Sequence, residues 1–398
     1  MRYRETTKFT LLYATDTSFV EKAGRVYSMG PFSNSYWGKY LEVFERVQVV
    51  GRADVSHPTG SSVVDQVSSR DQVEFELFPS LSSLTGLIWR RRAVRQRIRE
   101  LVESADLVLA RLHSEFGLLA VEQARLMRKP WAVEVASCAF DCLWHYGDLR
   151  GKLYAPIMYW RTRDAVRRAP VAIYVTKEFL QKRYPKRAGV TLAVSDVNVL
   201  PPDPKVLERR KKRIALGEKY RVGLIGSLGP RYKGIQTVFQ ALQNWPTAMP
   251  DVEFNILGSG SVEYWSREAQ RFGITKKVIF SPALPHGEAV MNWLDNIDIY
   301  VQPSLAEGLP RSLIEAMTRG CPAIASCVGG IPKLLGPANL ISAGDATGLR
   351  RKLINAISDK GWQLEQAEKN WRKAGNYSQE KLNLARHEAL MRCHRLIV

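Results

Sequence analysis

The run Val301-Gln-Pro-Ser-Leu-Ala-Glu-Gly-Leu-Pro-Arg-Ser-Leu-Ile-Glu-Ala-Met317, followed by Arg319-Gly-Cys-Pro-Ala-Ile-Ala-Ser326, organises the rest of the chain. A short strand, Ile299 to Gln302, leads into a loop carrying Glu307 and Gly308. Pro310 suits the first turn of the helix that follows, because proline has no N–H to leave unsatisfied there. A helix opening over Gly308, Leu309, Pro310 and Arg311 aims free backbone N–H groups and the positive end of its dipole at whatever precedes it, which suits a diphosphate. Glu315 falls about one turn further in, on the same side. The loop could therefore hold three parts of a sugar nucleotide: Glu307 the sugar hydroxyls, the helix start the diphosphate, Glu315 the ribose.

The stretches before it supply matching parts. Pro201-Pro-Asp-Pro204 breaks the chain, and a charged stretch follows. Tyr220 to Ile225 then reads as a strand that enters Gly226-Ser-Leu-Gly-Pro-Arg-Tyr-Lys-Gly234 before a helix from Ile235. A glycine-rich turn lets backbone approach a diphosphate closely, and Arg231 and Lys233 at its mouth can neutralise it. Val252 to Leu257 is a strand ending in Gly258-Ser-Gly260. Val278 to Phe280 is another, followed by Ala283-Leu-Pro-His286, where His286 is expected to cap the helix from Glu288.

Two glutamates separated by seven residues, the first in Glu307-Gly-Leu-Pro310 and the second in Glu315-Ala-Met317, resemble the donor-site motif of the group-1 (family 4 type) retaining glycosyltransferases of GT-B fold. The flanking Pro303-Ser304 and Gly320-Cys-Pro-Ala-Ile-Ala325 fit the same pattern. The resemblance implies two Rossmann-like, doubly wound parallel-sheet α/β domains facing a cleft. It also implies that Lys233 is the family's lysine and that Arg231 replaces an arginine found where this chain has Ser227. By the same resemblance Gly226, Gly258 and Ser259 lie near the nucleotide, Ser304 near the donor, and the backbone around Leu284 near the base. Many members place a histidine just after the strand that corresponds to Trp131–Ala136. Residues Val135 to Ser137 contain none, so Asp141, His145, Glu134 and His113 become candidates for the group that contacts the sugar. Each also has a structural reading: a histidine that packs, or a Glu134 paired with an arginine.

Across the first half, strands are expected at Phe9–Ala14, Val47–Val50, Val73–Phe78, Asp106–Ala110, Trp131–Ala136 and Val171–Thr176, alternating with helices. The segment from Asp16 through Gly24 and Gly30 is expected to be an acceptor-side loop. Domain boundaries are expected at 1–203 (acceptor side), 204–360 (donor side) and 361–398, the last being helices that cross back to the first domain.

The 398 residues carry 58 Lys and Arg against 39 Asp and Glu, a surplus that suits phosphorylated ligands, an anionic membrane face or nucleic acid. It is concentrated in two places. Leu87 to Arg99 holds six arginines and no acid on an amphipathic pattern, and residues 150–187 hold eleven Lys or Arg against two acids with tyrosines and a tryptophan between them. The alternating α/β context favours a phosphate headgroup or diphosphate-linked lipid over a nucleic acid. No run reaches the roughly 20 apolar residues of a spanning helix, and Met1-Arg-Tyr-Arg-Glu lacks a signal sequence, so a cytoplasmic protein, peripheral on the membrane, is expected. The five cysteines form no Cys-x-x-Cys, and there is no Asp-x-Asp, so neither a metal nor a resident cofactor is expected.

The expected function is transfer of a hexose, with retention, from a nucleotide diphosphate sugar (UDP first) to a hydroxyl of a saccharide or lipid-linked saccharide. Alternatives are a GT-B sugar-nucleotide epimerase and a glycosyltransferase-like binding protein of weakened activity.

Overall fold

The computed structural model describes residues 9–28, 32–54, 66–81, 87–197, 199–217 and 220–398, with the backbone alone for 87–90. Gly30 and the side chains of Leu87, Ile88 and Arg90 lie outside the described residues. The chain divides into two units: Met1–Ala139 with Ile157–Ser195 and Asn383–Val398, and Phe140–Pro156 with Asp196–Leu382. Both are α/β and Rossmann-like.

The first unit holds strands β1 (Thr10–Lys22), β2 (Arg25–Ser28), β3 (Arg46–Ala53), β4 (Gln66–Val67), β5 (Val73–Phe78), β6 (Leu107–Leu112), β7 (Trp131–Val135), β8 (Val171–Tyr174) and β9 (Val190–Ala193). Seven of them pair in parallel in the order β5-β3-β1-β6-β7-β8-β9. The interior strands β7 and β8 are buried along their whole length, as parallel strands covered on both faces must be. Helix Asn34–Leu41 sends Trp37 and Tyr40 into the core beside Tyr13. Ala389, Leu390 and Cys393 of the last helix fill the same core.

Two features differ from expectation. The segment after Asp16 is not a loop: β1 continues to Lys22, turns at Ala23 and Gly24 with φ of 48° and 71°, and returns antiparallel as β2. A two-residue turn with both φ values positive matches the twist of a hairpin, a local cue that the glycine alone did not carry. The edge strand β9 was also unexpected, since its sides alternate only between partly and fully exposed.

The second unit is a six-stranded parallel sheet of β10 (Tyr220–Ile225), β11 (Val252–Leu257), β12 (Val278–Ser281), β13 (Ile299–Gln302), β14 (Ala323–Ser326) and β15 (Leu340–Ile341), in the order β12-β11-β10-β13-β14-β15. Ile299 and Val301 enter one apolar cluster and Tyr300 the other, the alternation of a strand covered on both faces. Buried Arg210, on helix Pro204–Leu216, donates to the carbonyls of Leu294 (2.8 Å), Ile297 and Arg319 (3.1 Å). It thereby satisfies backbone oxygens where helices Glu288–Asp295 and Arg311–Thr318 end.

The loops beyond β10, β11 and β13 meet backbone to backbone. Leu228 N–H donates to the Ser259 carbonyl at 2.7 Å, and Leu305 N–H to the Tyr232 carbonyl at 2.7 Å. Glycine is required where they come closest. A Cβ on Gly258 would lie 2.0 Å from the Gly226 oxygen, and one on Gly234, whose φ is +77°, would lie 1.9 Å from the Pro303 oxygen. Gly234→Ala is therefore expected to destabilise by about 2 kcal/mol or more, lowering the melting temperature by roughly 5 °C. An unchanged melting curve would mean that the two loops can separate at no cost.

Candidate functional site

β13 ends inside the unit on a polar residue, Gln302, which is fully buried. Its amide is used completely. The Nε2 donates to Ser304 Oγ at 2.9 Å and to Glu307 Oε1 at 3.0 Å, while the Oε1 accepts from Tyr300 Oη at 2.9 Å and from Ser312 Oγ at 3.1 Å. Glu307 Oε1 takes two further donors, Ser304 Oγ at 2.8 Å and Lys233 Nζ at 2.8 Å. Glu307 is 9% exposed, and a carboxylate so enclosed needs donors of this kind. One residue from each of two strand-end loops thus meets here: Lys233 of the glycine turn and Glu307 of the central motif.

Gly308, Leu309 and Pro310 lead from Glu307 into helix Arg311–Thr318. Pro310 is extended (φ −71°, ψ 110°) and caps the helix rather than opening its first turn, so Arg311 is the first helical residue. Proline fits both positions because neither calls for its missing N–H. Glu315 lies one turn in; burial raises its carboxyl above the ordinary glutamate range, and the Arg311 charge opposes that shift only in part. His286 does not cap its helix. The N-cap is Gly287, without a side-chain bond, and His286 is pushed down to about 4 by burial and by the charge of Arg311, leaving a neutral imidazole.

In the glycine turn, Ser227 Oγ accepts from Gly229 N–H at 3.3 Å and donates to the Ser259 carbonyl at 3.4 Å, tying Gly226 and Ser227 to Gly258 and Ser259. The Arg231 guanidinium lies 5.6 Å from the Tyr264 ring centre and donates to its hydroxyl. Arg231 is exposed and Lys233 is not, so of the two cations only Lys233 is joined to Glu307. Leu284 packs, half-buried, against the cluster that holds Tyr300 and Leu313.

The segment Phe140–Pro156 belongs to this same unit. The Tyr146 carbonyl accepts from Arg231 N–H at 3.2 Å, which brings the stretch bearing Asp141 and His145 against the glycine turn. Burial, with Lys152 adding to it, lowers the His145 imidazole below its ordinary range despite the nearby Asp141. His113 and Glu134 are in the other unit. Glu134 pairs there with Arg111 and accepts from Tyr13 Oη at 3.2 Å, and His113, lowered to about 4 by burial, contacts Ser137 Oγ at 3.3 Å. Asp16 caps helix Glu115–Leu126 by accepting from Glu115 N–H at 2.7 Å and Phe116 N–H at 3.1 Å.

Sequence reasoning missed Gln302, Tyr300 and Ser312. The available signal was a glutamine and a tyrosine on alternate positions of a four-residue strand otherwise built of Ile and Val, since polar groups in a buried strand must find partners. Among the described residues, no group of three or more His, Cys, Asp or Glu is arranged to hold a metal ion, and no helix is long and apolar enough to cross a membrane.

Gln302→Leu takes the acceptor from the Tyr300 and Ser312 hydroxyls and removes a donor from Glu307, so it should cost on the order of 1–3 kcal/mol, read as a lower denaturation midpoint. A raised carboxyl works the other way. Its ionised form disfavours the folded state, a penalty absent below the unfolded pKa near 4.3 and complete above the folded one. Glu315→Gln should thus melt no lower than wild type at neutral pH, with any advantage vanishing as the pH falls through the acid range; a lower melting point at neutral pH would contradict it.

Residues 206–377 match the family model of glycosyl transferases group 1. The chain is 28% identical over 387 residues to protein CapJ of Staphylococcus aureus, covering 97% of this chain and 96% of that one. It is 28% identical over 304 residues to the 2-deoxystreptamine glucosyltransferase of Streptomyces kanamyceticus, covering 70% and 76% of the two chains. Among solved structures, the fold is similar to that of HepE from Anabaena in complex with UDP-glucose, with a TM-score of 0.64, 18% identity and coverage of 96% and 99%. The two Rossmann-like units have the GT-B architecture, and with residues 206–377 matching the group 1 model the protein is a glycosyltransferase.

Proposed function

We propose that this glycosyltransferase moves a hexose, with retention of configuration, from a nucleotide diphosphate sugar held by its second unit to a hydroxyl of a saccharide or lipid-linked saccharide. One observation carries the donor assignment: Lys233 Nζ and Glu307 Oε1 are 2.8 Å apart, directly before the start of a helix. A cation for phosphate and a carboxylate for hydroxyls at that spacing match the two ends of a sugar-phosphate bond. Glu307 would accept from the sugar hydroxyls, Glu315 from the ribose, and Leu284 would lie along the base. The Gly308–Arg311 backbone, Lys233 and Arg231 would stabilise the negative charge that grows on the departing diphosphate, which is preorganised electrostatic catalysis. Ser304 positions Glu307, and Gly226, Ser227, Gly258 and Ser259 keep the backbone close to the phosphates.

The families this motif resembles use the departing phosphate to take up the acceptor's proton, and the same step is proposed here without a metal. In place of the missing histidine, Asp141 and His145 are proposed to contact the transferred sugar. Their segment is tied to Arg231 through Tyr146, and a neutral His145 can accept from a hydroxyl. Among the relatives, the 2-deoxystreptamine glucosyltransferase supports a hexose as the transferred group. The synthesis of a cell-surface polysaccharide or glycolipid on the cytoplasmic side of a membrane is the proposed setting.

The test is a thermal-shift panel of UDP, GDP, ADP and dTDP, followed by donor turnover with and without acceptor. A cognate nucleotide at a hundred times its Kd should stabilise by about 2.7 kcal/mol. Glu307→Gln should keep that shift while turnover falls by roughly 100-fold, and Lys233→Ala should lose both. No shift with any nucleotide would sink the donor assignment, and donor epimerised without acceptor would replace transfer by isomerisation.

A further inference from the structure

We propose that Tyr232 is a specificity-determining residue of the donor site, its hydroxyl making a hydrogen bond to a hydroxyl of the transferred hexose. The inference rests on the donor-site reading above and adds a second group that recognises the sugar. Tyr232 lies between Arg231 and Lys233 in the glycine turn after β10. Its carbonyl accepts from Leu305 N–H at 2.7 Å, which ties it to the loop that carries Glu307. Lys233 Nζ is 5.4 Å from the centre of its ring and 2.8 Å from Glu307 Oε1, so ring, cation and carboxylate are neighbours. On the other flank Arg231 N–H donates to the Tyr146 carbonyl at 3.2 Å, bringing up the segment that carries Asp141, Cys142 and His145.

Among the described residues the Tyr232 hydroxyl has no hydrogen-bond partner, although the residue is half-buried. Its neighbours differ. Tyr300 Oη donates to Gln302 Oε1 at 2.9 Å, Tyr264 Oη accepts from Arg231, and Tyr146 is 52% exposed, where water serves. A phenol turned away from water finds a partner as a rule, so one left without it beside a binding site marks a place where the ligand completes the bond. Burial raises the Tyr232 pKa first, and the nearness of Cys142, Glu307 and Tyr146 adds to the rise. The group is therefore a neutral phenol at physiological pH, able to donate, and those three residues are the ones around it.

Glu307 completes the chemistry. Its hydrogen bonds all fall on Oε1, and Oε2 has none among the described residues. A carboxylate oxygen only accepts, and a neutral phenol can donate. A sugar hydroxyl does both, so one hydroxyl, or two on adjacent carbons, can donate to Glu307 Oε2 and accept from Tyr232 Oη. A pair of that polarity rejects a hydrogen in place of the hydroxyl, because both protein groups are then left unpaired in a partly desolvated site. A phosphodiester would not satisfy it: it has no proton for Oε2 and is repelled by the carboxylate.

The test is Tyr232→Phe in the full-length protein, which keeps the ring beside Lys233 and removes one oxygen. Binding is measured by calorimetry for UDP, GDP, UDP-glucose, UDP-galactose and GDP-mannose, and turnover with whichever nucleotide sugar wild type uses. The ligand-free variant should melt as wild type does, since no bond within the protein is lost. It should hold the free nucleoside diphosphate equally well, bind the nucleotide sugar about tenfold more weakly and lose at least as much in kcat/KM. Among the 2-, 3-, 4- and 6-deoxy forms of that hexose, wild type should reject one or two, and the variant should reject the same forms about tenfold less, because the missing oxygen and the missing hydroxyl belong to one bond. A variant that binds and turns over the nucleotide sugar as wild type does would overturn the proposal and leave the donor site standing. So would a lower melting point without ligand, a loss shared by the free nucleotide, or a loss confined to the KM of the acceptor. Wild type that binds no nucleotide would remove the donor-site reading itself, and the proposal with it.

Discussion

A carboxylate that is nine-tenths buried has to be paired, and Glu307 is paired three times over on one oxygen. Desolvating an ion costs several kcal/mol, which is recovered only if donors are already in place. Much of the local structure of the second unit meets that condition. Gln302 is held by Tyr300 and Ser312, Ser304 by Gln302, and Lys233 by a turn whose neighbours are fixed through backbone bonds. The chain thus holds an acid and a base in contact at the mouth of a helix, where each can exchange its partner for part of a ligand without rearrangement of the scaffold.

Keeping those groups in register depends on loops that approach more closely than any side chain would allow. Gly234 meets the Pro303 carbonyl and Gly258 the Gly226 carbonyl, so the loops after β10, β11 and β13 behave as one body. The parallel sheet explains why they are neighbours at all, because its strands deliver every such loop to the same carboxyl edge. Glu315 illustrates the accompanying cost. Its ionised form is disfavoured by burial, and a residue that weakens the fold where a ligand is expected is a common mark of a site kept for function.

The surplus of positive charge separates into kinds once partners are known. Arginines of helix Leu87–Ser104 are matched to acids on adjacent elements, Arg210 is consumed by helix carbonyls, and Lys233 by Glu307. Arg150, Lys152, Arg163 and Arg167 of helix Leu149–Arg168 have no such match among the described residues.

The sequence alone determined the alternation of strand and helix, the limits of β5, β10, β11 and β13 to the residue, and the adjacency of Glu307 to a helix start. Hydrophobic periodicity, glycine turns and one dense motif are local signals, and they survive folding because each is satisfied within a few residues. Only tertiary structure could decide that Gln302 grips Glu307, that Lys233 rather than Arg231 pairs with it, and that His286 faces Arg311 instead of capping its helix. It also decided that Phe140–Pro156 joins the unit whose main stretch begins at Asp196, and that the segment after Asp16 continues as a hairpin. The pairing of Lys233 and the joining of Phe140–Pro156 to the second unit turn on contacts between segments far apart in the chain, while the grip of Gln302 on Glu307 and the hairpin turn on local backbone geometry that spacing along the chain does not encode.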